Sequence, residues 1–298
     1  MRVCDREIKI DGHLARVAKL DGDKYKFLDE PEVMLTSLRN CGVRIDIFTF
    51  MQRVFEPSPK YHYPMEWDNL AVLPVTSFDH WWSRQIGSFP RNRARQAEKR
   101  GASLVELPFD DTLARGIWEI YNECPIRQGL PFRHYGKDIN TVRAITATYL
   151  ESSIFLGVLF RDKLIGFAKL VTDETGTQAN LMHIVSMVGH KDKAPTNALI
   201  AQAVKSCSAR GIRYLVYQNF SYGKKKVDGL SHFKEVNGFK RVDVPRYYVP
   251  LTGLGWVALR LGLHKRFADR IPEPVLLKLR ELRSAWYSRR FQTEGGTL

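Results

Sequence analysis

The segment from Ala179 to Tyr217 constrains the fold of this chain more than any other part of the sequence. It contains the apolar run ANLMHIVSMV, then TNALIAQAVKSCSAR followed directly by a glycine, and then IRYLVY. The outer runs have the composition of strands, and the segment between them has the apolar spacing of a helix that ends at the glycine. We therefore predict parallel strands near 181–188 and 212–217, joined by a right-handed crossover through a helix over 197–210.

The elements around this unit extend the same sheet. From position 103 the order is strand SLVELPF, helices DDTLARGIWEIYNEC and INTVRAITATYLE, and strands SIFLGVLF and LIGFAKLV; after the crossover come helix LSHFKEVNG and strand FKRVDVPRYYVPL. This order predicts an α+β fold with a mixed central sheet flanked by helices. Ligands of such units bind beyond the carboxyl ends of the strands, here around 189–196 and 218–223.

The first hundred residues also have α+β character. EIKIDGHLARVAKL predicts two short strands around a glycine turn, and residues 31–40 predict a helix that precedes the strand RIDIFTF. The stretch 55–69, FEPSPKYHYPMEWDN, has three prolines, so we expect a long loop. Its aromatic side chains either line a cleft or pack the loop onto the core.

A basic helix is predicted between Ser77 and Gly101, which are a favoured start and stop, and Pro90 is expected to break or restart it. In its second half Arg91, Arg95 and Lys99 recur every four residues and share one face. That face either binds a polyanion or is a solvated basic surface.

The charge balance favours anionic partners. Lysine and arginine outnumber aspartate and glutamate by 46 to 32, which gives a formal net charge of +14. Such a charge suits tRNA, a phosphorylated cofactor, a nucleotide-linked sugar or an anionic membrane. The four cysteines are scattered and show no CxxC spacing, so we expect free thiols and no metal site.

The C-terminal residues 253–298 predict a helical tail. Trp256, Leu259, Leu263 and Phe267 form one apolar stripe, and Val275, Leu279, Leu282 and Trp286 form a second, with basic residues beside it. Such a tail either packs on its own domain or lies on an anionic membrane. Because no apolar run has the length of a signal peptide or a membrane span, we expect a cytoplasmic protein, with peripheral contact at the inner membrane face as an alternative.

Three segments together resemble one known group of proteins. They are RNRARQAEKRGASLVEL, KAPTNALIAQAVKSCSARGIRYLVY and GLSHFKEVNGFKRVDVPRYYVPL, which span roughly residues 70–252. Their order resembles the FemAB-like branch of the GNAT acyltransferase superfamily, which includes the aminoacyltransferases that build peptidoglycan bridges. The resemblance implies a GNAT-like domain over 101–252 and a reduced GNAT-like half over 1–100.

The resemblance also implies an enzyme that transfers an acyl group from an activated donor to an amine. The donor would be acyl-CoA or aminoacyl-tRNA, and the acceptor a small metabolite, an amino sugar or a cell-envelope precursor. The glycines of the usual CoA pyrophosphate loop, Q/RxxGxG/A, are missing from HKDKAPTNA. An aminoacyl-tRNA-dependent peptidyltransferase and a non-catalytic module that binds an anionic partner or a membrane therefore remain alternatives.

Three residues are catalytic candidates. By resemblance, Lys234 of the Phe233-Lys234 pair would contact a phosphate or the developing oxyanion; a surface lysine is the alternative. His183 lies on a strand that flanks the expected cleft, and its unperturbed pKa suits proton transfer near neutral pH. Tyr217 could position or protonate a reacting group, although tyrosines on strands are mostly packing residues.

A second set of residues is expected to bind the donor's phosphates. Lys191 and Lys193 precede the helix that starts near Thr196 and Asn197, where free backbone N–H groups favour anions. The basic face 91–99 is a further phosphate-binding candidate. Exposed loop lysines are the alternative in both places.

A third set is expected to bind the acceptor. The connection between the two helices of the central domain is rich in hydrogen-bonding groups, and such loops often carry function. Its candidates are Arg127, His134 and Tyr135. Tyr222 and Phe233 complete the set, with packing beside Lys234 as the alternative for Phe233.

Overall fold

The computed structural model describes residues 1–56, 58–127, 129–221 and 229–264. Its strands are β1 (Arg2–Val3), β2 (Arg6–Asp11), β3 (Val17–Leu20), β4 (Ile47–Met51), β5 (Met65–Pro74), β6 (Ala102–Leu107), β7 (Ile126–Arg127), β8 (Leu130–Pro131), β9 (Ser153–Phe160), β10 (Lys163–Thr172), β11 (Gln178–Ser186), β12 (Tyr214–Asn219) and β13 (Lys240–Pro250). Its α-helices are α1 (Pro31–Arg39), α2 (Phe78–His80), α3 (Ser88–Lys99), α4 (Asp111–Asn122), α5 (Ile139–Thr146), α6 (Pro195–Ala209), α7 (Gly229–Val236) and α8 (Gly253–Arg260).

Eleven of the described strands form one mixed sheet. Their order is β1-β2-β3-β4-β13-β5-β12-β11-β10-β9-β6, while β7 and β8 form a separate hairpin. The pairing of β11 with β12 is parallel and α6 connects them, which confirms the crossover predicted from the sequence. Gly211 follows α6 with a φ of +70°, a left-handed conformation that glycine adopts without strain and that ends the helix.

The same connectivity occurs a second time near the N-terminus. β3 and β4 are parallel and α1 lies between them in the chain, as α6 lies between β11 and β12. β4 pairs antiparallel with β13, β12 pairs antiparallel with β5, and β5 and β13 pair with each other. Each β-α-β unit thus borders a strand from the other part of the chain. This topological repeat leaves no recognisable repeat in the sequence.

Helices cover both faces of the sheet. Gly166 of β10 faces α6, because a Cβ placed there would lie 3.3 Å from the Leu199 side chain. The next residue, Phe167, points the other way, and its ring centroid is 5.8 Å from that of Tyr121 of α4. The largest apolar core forms around these strands and includes residues of both helices. The α+β class with a mixed, helix-flanked sheet is therefore correct.

One local prediction was wrong. β5 begins at Met65, inside the predicted loop, because its backbone pairs with β13 from Met65↔Tyr247 onward. That ladder satisfies backbone groups irrespective of the weak local periodicity. The predicted interruption of the helix between Ser77 and Gly101 is confirmed: α2 and a π-helical turn (Trp81–Gln85) come before the break, and α3 restarts at Ser88 with Pro90 in its first turn.

The predicted domain boundary at residue 100 stays a prediction, although the sheet is continuous across it, with β5 between β12 and β13. The predicted second tail helix lies outside the described residues. In the described part of the chain, no helix has both the length and the apolar character needed to cross a membrane.

Candidate functional site

A cleft opens between β11 and β12. Among the described residues the two strands pair only from Gln178↔Tyr214 to Asn180↔Val216, although β11 continues to Ser186. Beyond these three pairs the strands separate. The carboxyl ends of both strands lie at this opening, as expected for a ligand site in a parallel β-α-β unit.

Each strand carries a β-bulge where the cleft begins. In β11 the register shifts at Met182, between Leu181↔Leu170 and His183↔Lys169. In β12 the ladder to β5 shifts between Val216 and Asn219. Bulges release backbone groups from the ladder and re-aim side chains, and they are common beside active sites.

Gln218 connects the two bulges. It has a left-handed φ of +45°, which is uncommon for a residue other than glycine. Its side-chain amide donates to the carbonyl of Met182, 3.4 Å away, and so links β12 to β11 where they part. Local backbone strain of this kind clusters at ligand sites, so the cleft is our candidate active site.

His183 lies on the α4 side of the sheet in an aromatic environment. Its Nδ1 is 3.5 Å from the Tyr121 hydroxyl, and its ring centroid is 6.1 Å from that of His134. Its Nε2 is buried without a hydrogen-bond partner among the described residues. Burial lowers the pKa of His183 to about 4, with nearby positive charges adding to the effect. At neutral pH the ring is uncharged but weakly basic, which differs from the near-neutral pKa expected from the sequence.

His134 belongs to the same cluster. It is buried, and its ring stacks on Tyr121 with a centroid distance of 4.5 Å. Burial lowers its pKa to about 4, and Lys137 and Arg133 contribute through their charges. The structure thus brings two predicted residues, His134 and His183, together around a tyrosine that the sequence analysis did not select.

Lys234 lies on α7 and is fully buried, so the surface-lysine alternative is wrong. Its ammonium donates to the carbonyls of Asn219 and Phe220, at the end of β12. It also lies 4.8 Å from the centroid of the Tyr217 ring. A buried ammonium needs such acceptors, and in turn it fixes the bulged end of β12. Phe233, its neighbour, is half-buried against the main core, which matches its packing alternative.

The turn after β11 is already occupied by a carboxylate. The N–H groups of Val188 and Gly189 donate to the two oxygens of Glu123, at 2.6 and 2.8 Å. Glu123 follows α4, where the helix dipole disfavours an acid, but it stabilises the start of the short 3-10 helix at 188–193. The first N–H groups beyond β11, where a donor phosphate would be expected, are therefore filled by the chain itself.

The predicted phosphate-binding lysines are also partly neutralised. Lys193 pairs with Asp192 at 3.1 Å and lies 4.3 Å from the Phe160 ring centroid, while Lys191 is exposed. Thr196 shares a 2.9 Å hydrogen bond with Ser186 at the end of β11. Asn197 is half-buried in the first turn of α6, where its N–H donates to the Ala194 carbonyl.

Arg127 ties the β7–β8 hairpin to the end of β11. Its guanidinium donates to the carbonyls of Ser186, at 2.6 Å, and Ile120, at 2.5 Å, and pairs with Glu123 at 3.4 Å. The hairpin therefore lies close to the cleft, but Arg127 is committed to protein contacts. Tyr135 is exposed, and Tyr222 lies outside the described residues.

The three cations of the predicted basic face of α3 differ in their contacts. Arg91 donates to the carbonyls of Trp82 and Ile86, at 2.8 and 3.0 Å, and so joins α3 to the preceding turn. Arg95 is exposed and stacks over the Trp82 ring at 5.1 Å, and Lys99 is exposed. Two of the three cations thus remain directed to solvent.

Sequence reasoning missed Glu123, Lys169 and Gln218. An acid at the end of a helix opposes the helix dipole, and that conflict was a usable signal for Glu123. Lys169 interrupts the apolar strand LIGFAKLV; it is fully buried, donates to the Thr146 carbonyl at 2.8 Å, and burial lowers its pKa to about 8. The left-handed backbone of Gln218 has no sequence signal, because it arises from the splay of two distant strands.

No protein-family model matches the sequence, and no curated protein matches it significantly. Among solved structures, L-PGS from Bacillus licheniformis matches with a TM-score of 0.54 and 12% identity over 88% of this chain and 86% of that one. The C-terminal domain of a proposed lysylphosphatidylglycerol synthetase from Agrobacterium fabrum matches with a TM-score of 0.51 and 15% identity over 88% of both chains.

These TM-scores establish a shared fold, and sequence identities this low leave the activity open. Together with the mixed sheet and the parallel β11–β12 crossover expected for a GNAT-like domain, they show that the chain shares the fold of these two proteins. The resemblance inferred from three sequence segments is therefore confirmed at the level of the fold.

Proposed function

We propose that this chain is a transferase that moves an acyl or aminoacyl group from an activated donor to a nucleophile bound in the β11–β12 cleft. The observation that carries the proposal is the cleft itself, with a bulge in each wall. Attack on an ester or thioester carbonyl forms an oxyanion, which preorganised backbone donors stabilise. The bulged backbone of β11 near Met182 offers such donors at the place where the strands part.

The neutral ring of His183 would receive a hydrogen bond from the nucleophile. Its Nε2, which has no hydrogen-bond partner among the described residues, supports this role, and its low pKa keeps the ring unprotonated at neutral pH. A base this weak contributes by orienting the nucleophile, and it gains basicity only if charge develops beside it during attack. Tyr121, with its hydroxyl 3.5 Å from Nδ1, would hold the ring.

Lys234 would act through the protein backbone. Its contacts with Asn219 and Phe220 set the course of the chain at the end of β12, and Tyr217 covers the ammonium. We therefore assign it a positioning role in place of the direct substrate contact expected from the family resemblance. Its charge also contributes a positive potential beside the cleft, which favours an anionic transition state.

The contacts of Glu123 favour aminoacyl-tRNA over acyl-CoA as donor. A CoA pyrophosphate bound at the turn after β11 would compete with the Glu123 carboxylate for the N–H groups of Val188 and Gly189. An aminoacyl-tRNA could place its ester in the cleft while basic surfaces bind its phosphates elsewhere. The formal charge of +14 agrees with such a partner.

A cell-envelope acceptor is our preferred choice among those expected from the sequence. The Agrobacterium neighbour is described as part of a lysylphosphatidylglycerol synthetase, a name that joins a lysyl group to a lipid. That support is an analogy of fold only. The acceptor group would be an amine or a hydroxyl, since both attack an ester carbonyl after loss of a proton.

The test is a transfer assay with two donors labelled on the acyl group, aminoacyl-tRNA and acyl-CoA. Acceptors are an amino sugar and vesicles that contain phosphatidylglycerol, and products are identified by mass spectrometry. We expect transfer from aminoacyl-tRNA and none from acyl-CoA. Glu123→Ala should bind CoA more tightly than the native chain, because it frees two N–H donors, whereas Glu119→Ala, within α4, should not.

One outcome of the assay would contradict the role of Glu123, and another would contradict the transferase proposal. Equal use of acyl-CoA by the native chain and by Glu123→Ala would show that Glu123 does not exclude CoA. Absence of transfer from either donor, with a folded protein that still binds tRNA, would instead favour the non-catalytic module.

A further inference from the structure

Helix α8 exposes an unusually apolar surface. Its outward side chains Leu254, Trp256, Val257 and Leu261, the last just beyond the helix end, are 41%, 52%, 51% and 67% exposed. Scattered single apolar residues are ordinary on protein surfaces, but a contiguous group marks a site of interaction. The sequence predicts that Trp256 belongs to an apolar stripe that either packs on its own domain or lies on a membrane; in the structure the buried face of α8 is made by smaller residues, Gly255 and Ala258. We call the four exposed side chains the α8 patch.

The α8 patch is held on a firm base. Gly255 packs so closely that a Cβ there would lie 1.9 Å from the carbonyl oxygen of Asp46. The Thr252 hydroxyl accepts from the Gly255 N–H at 3.1 Å and donates to the Asp46 carboxylate at 2.7 Å. Ala258 is fully buried against Ala15 and Ile47. These contacts fix the helix, so the exposed side chains are presented by an ordered element.

The segment that carries the α8 patch is basic, and its His264 contacts the Glu66 carboxylate at 3.1 Å. Residues 253–264 contain no carboxylate, and Arg260 on the helix is exposed. Arg44 pairs with the buried Asp46 at 3.2 Å and donates to the Leu14 carbonyl, while the Leu14 side chain is itself exposed. An apolar group that includes tryptophan, bordered by arginines, has the composition of a segment that inserts at a lipid interface.

The α8 patch lies at the same edge of the sheet as the cleft mouth. β12 and β13 are both antiparallel to β5, so their carboxyl ends point in the same direction. α8 starts three residues after the end of β13, and the cleft opens at the end of β12. Val242 of β13 is level with Asn219 at the end of β12, since both pair with Leu70, and α8 starts eleven residues later. A surface that covered α8 would therefore lie beyond the cleft opening, in the direction in which these strands point.

We propose that the α8 patch docks this protein on an anionic lipid bilayer with the cleft mouth facing the membrane. The occupant is the interfacial region of the bilayer, in which Trp256 and Leu261 insert while Arg260 and Arg44 meet lipid phosphates. Docking does not require the transfer reaction, so it stands or fails independently of the proposed function. A second copy of the chain and residues 265–298 are the competing occupants.

The test is co-sedimentation of the full-length chain with vesicles at low salt. Vesicles of phosphatidylglycerol mixed with phosphatidylcholine should bind the native chain, and phosphatidylcholine vesicles should bind it much less. Replacing Trp256→Gln together with Leu261→Gln should reduce the partition to anionic vesicles by about tenfold or more, because two inserted apolar side chains are lost. Phe89→Gln is the matched control, since Phe89 is 68% exposed on α3 and should not affect binding.

Three outcomes would overturn the proposal. The native chain could fail to sediment with anionic vesicles at low salt, or the double variant could bind like the native chain. The double variant could also change the sedimentation coefficient of the lipid-free protein or lower its thermal stability, which would assign the patch to a second copy or to residues 265–298. Unchanged mass and stability together with lost vesicle binding support membrane docking.

Discussion

The two β-α-β units of this fold differ in the course of their strands beyond the parallel pairing. Both units pair over three residues, from Val17↔Ile47 in the N-terminal unit and from Gln178↔Tyr214 in the C-terminal unit. In the C-terminal unit the strands then bulge and splay apart. In the N-terminal unit the segment directly after β4 folds back and forms hydrogen bonds within itself.

Side chains close the end of the N-terminal unit. Gln52, directly after β4, is buried, donates to the carbonyls of Glu56 and Ser58, and accepts from the Tyr247 hydroxyl at 2.7 Å. Arg53 pairs with Asp29. Connectivity alone therefore does not make a site, because the same β-α-β topology carries a cleft only in the unit where bulges keep the two strands apart.

The largest effect is expected from separating the units at residue 100. A chain of residues 101–298 would lose β4 and β5, so β12 would lose one strand partner and β13 both of its partners. Val216 and Val244 would lose the core they share with Phe27, Leu70 and others. We expect no cooperative unfolding transition for this fragment by circular dichroism, and recovery when residues 1–100 are co-expressed. A cooperative transition of the fragment alone would show that the C-terminal unit folds independently.

A second experiment compares one buried cation in each unit. Lys234→Met should reduce the transfer rate by roughly 10²-fold, a loss typical of a disturbed oxyanion site, and should also destabilise the fold because two carbonyls lose a donor. Arg53→Met removes the ion pair with Asp29, whose side chain is 68% exposed, and should cost about 1 kcal/mol or less of unfolding free energy.

The two variants are distinguished by their turnover numbers, measured well below the melting temperature of each variant. Arg53→Met should retain the native turnover number, since it lies in the closed unit, whereas Lys234→Met should not. Equal losses of turnover in the two variants would mean that Lys234 acts through general stability only. Native turnover in Lys234→Met would exclude the positioning role altogether.

Acid should affect the C-terminal unit selectively. The pKa of His134 and of His183 is lowered by burial to about 4, below the ordinary histidine value of 6.5 in the unfolded chain. The unfolded state therefore binds more protons between these values, so stability is complete above pH 6.5 and falls as the pH drops towards 4. The full loss is about 3 kcal/mol of unfolding free energy per histidine. The N-terminal unit lacks this effect, because β3, α1 and β4 contain no histidine.

The measurement is urea denaturation at several pH values between 7.5 and 4. His134→Gln with His183→Gln should flatten the acid slope, whereas replacing the exposed His13 should leave it unchanged. An unaltered slope in the double variant would mean that carboxylates, and not the buried histidines, govern acid sensitivity.

The sequence predicted the elements whose signals are local. Gly211 ended a helix with clear periodicity, so α6 and its parallel strands were found. β5 was misplaced at its start because its pairing with β13 joins residues that are far apart in sequence. The candidate residues His134 and His183 were found by type, but their low pKa values result from burial by Tyr121 and Phe167, which no local pattern reports.

The smallest effect concerns the basic helix α3, which packs on α6 and gives the C-terminal unit a basic flank. If this face binds tRNA, Arg95→Gln with Lys99→Gln should lower the log–log salt slope of binding by about 1–2, since each lost phosphate contact removes about 0.9. Arg91→Gln should leave the slope unchanged and reduce stability, because Arg91 bonds to the carbonyls of Trp82 and Ile86. Arg115→Gln, exposed on α4, is the control for net charge. A slope that Arg91→Gln reduces as much as the double variant would contradict this division, and no tRNA affinity at low salt would exclude an aminoacyl-tRNA donor.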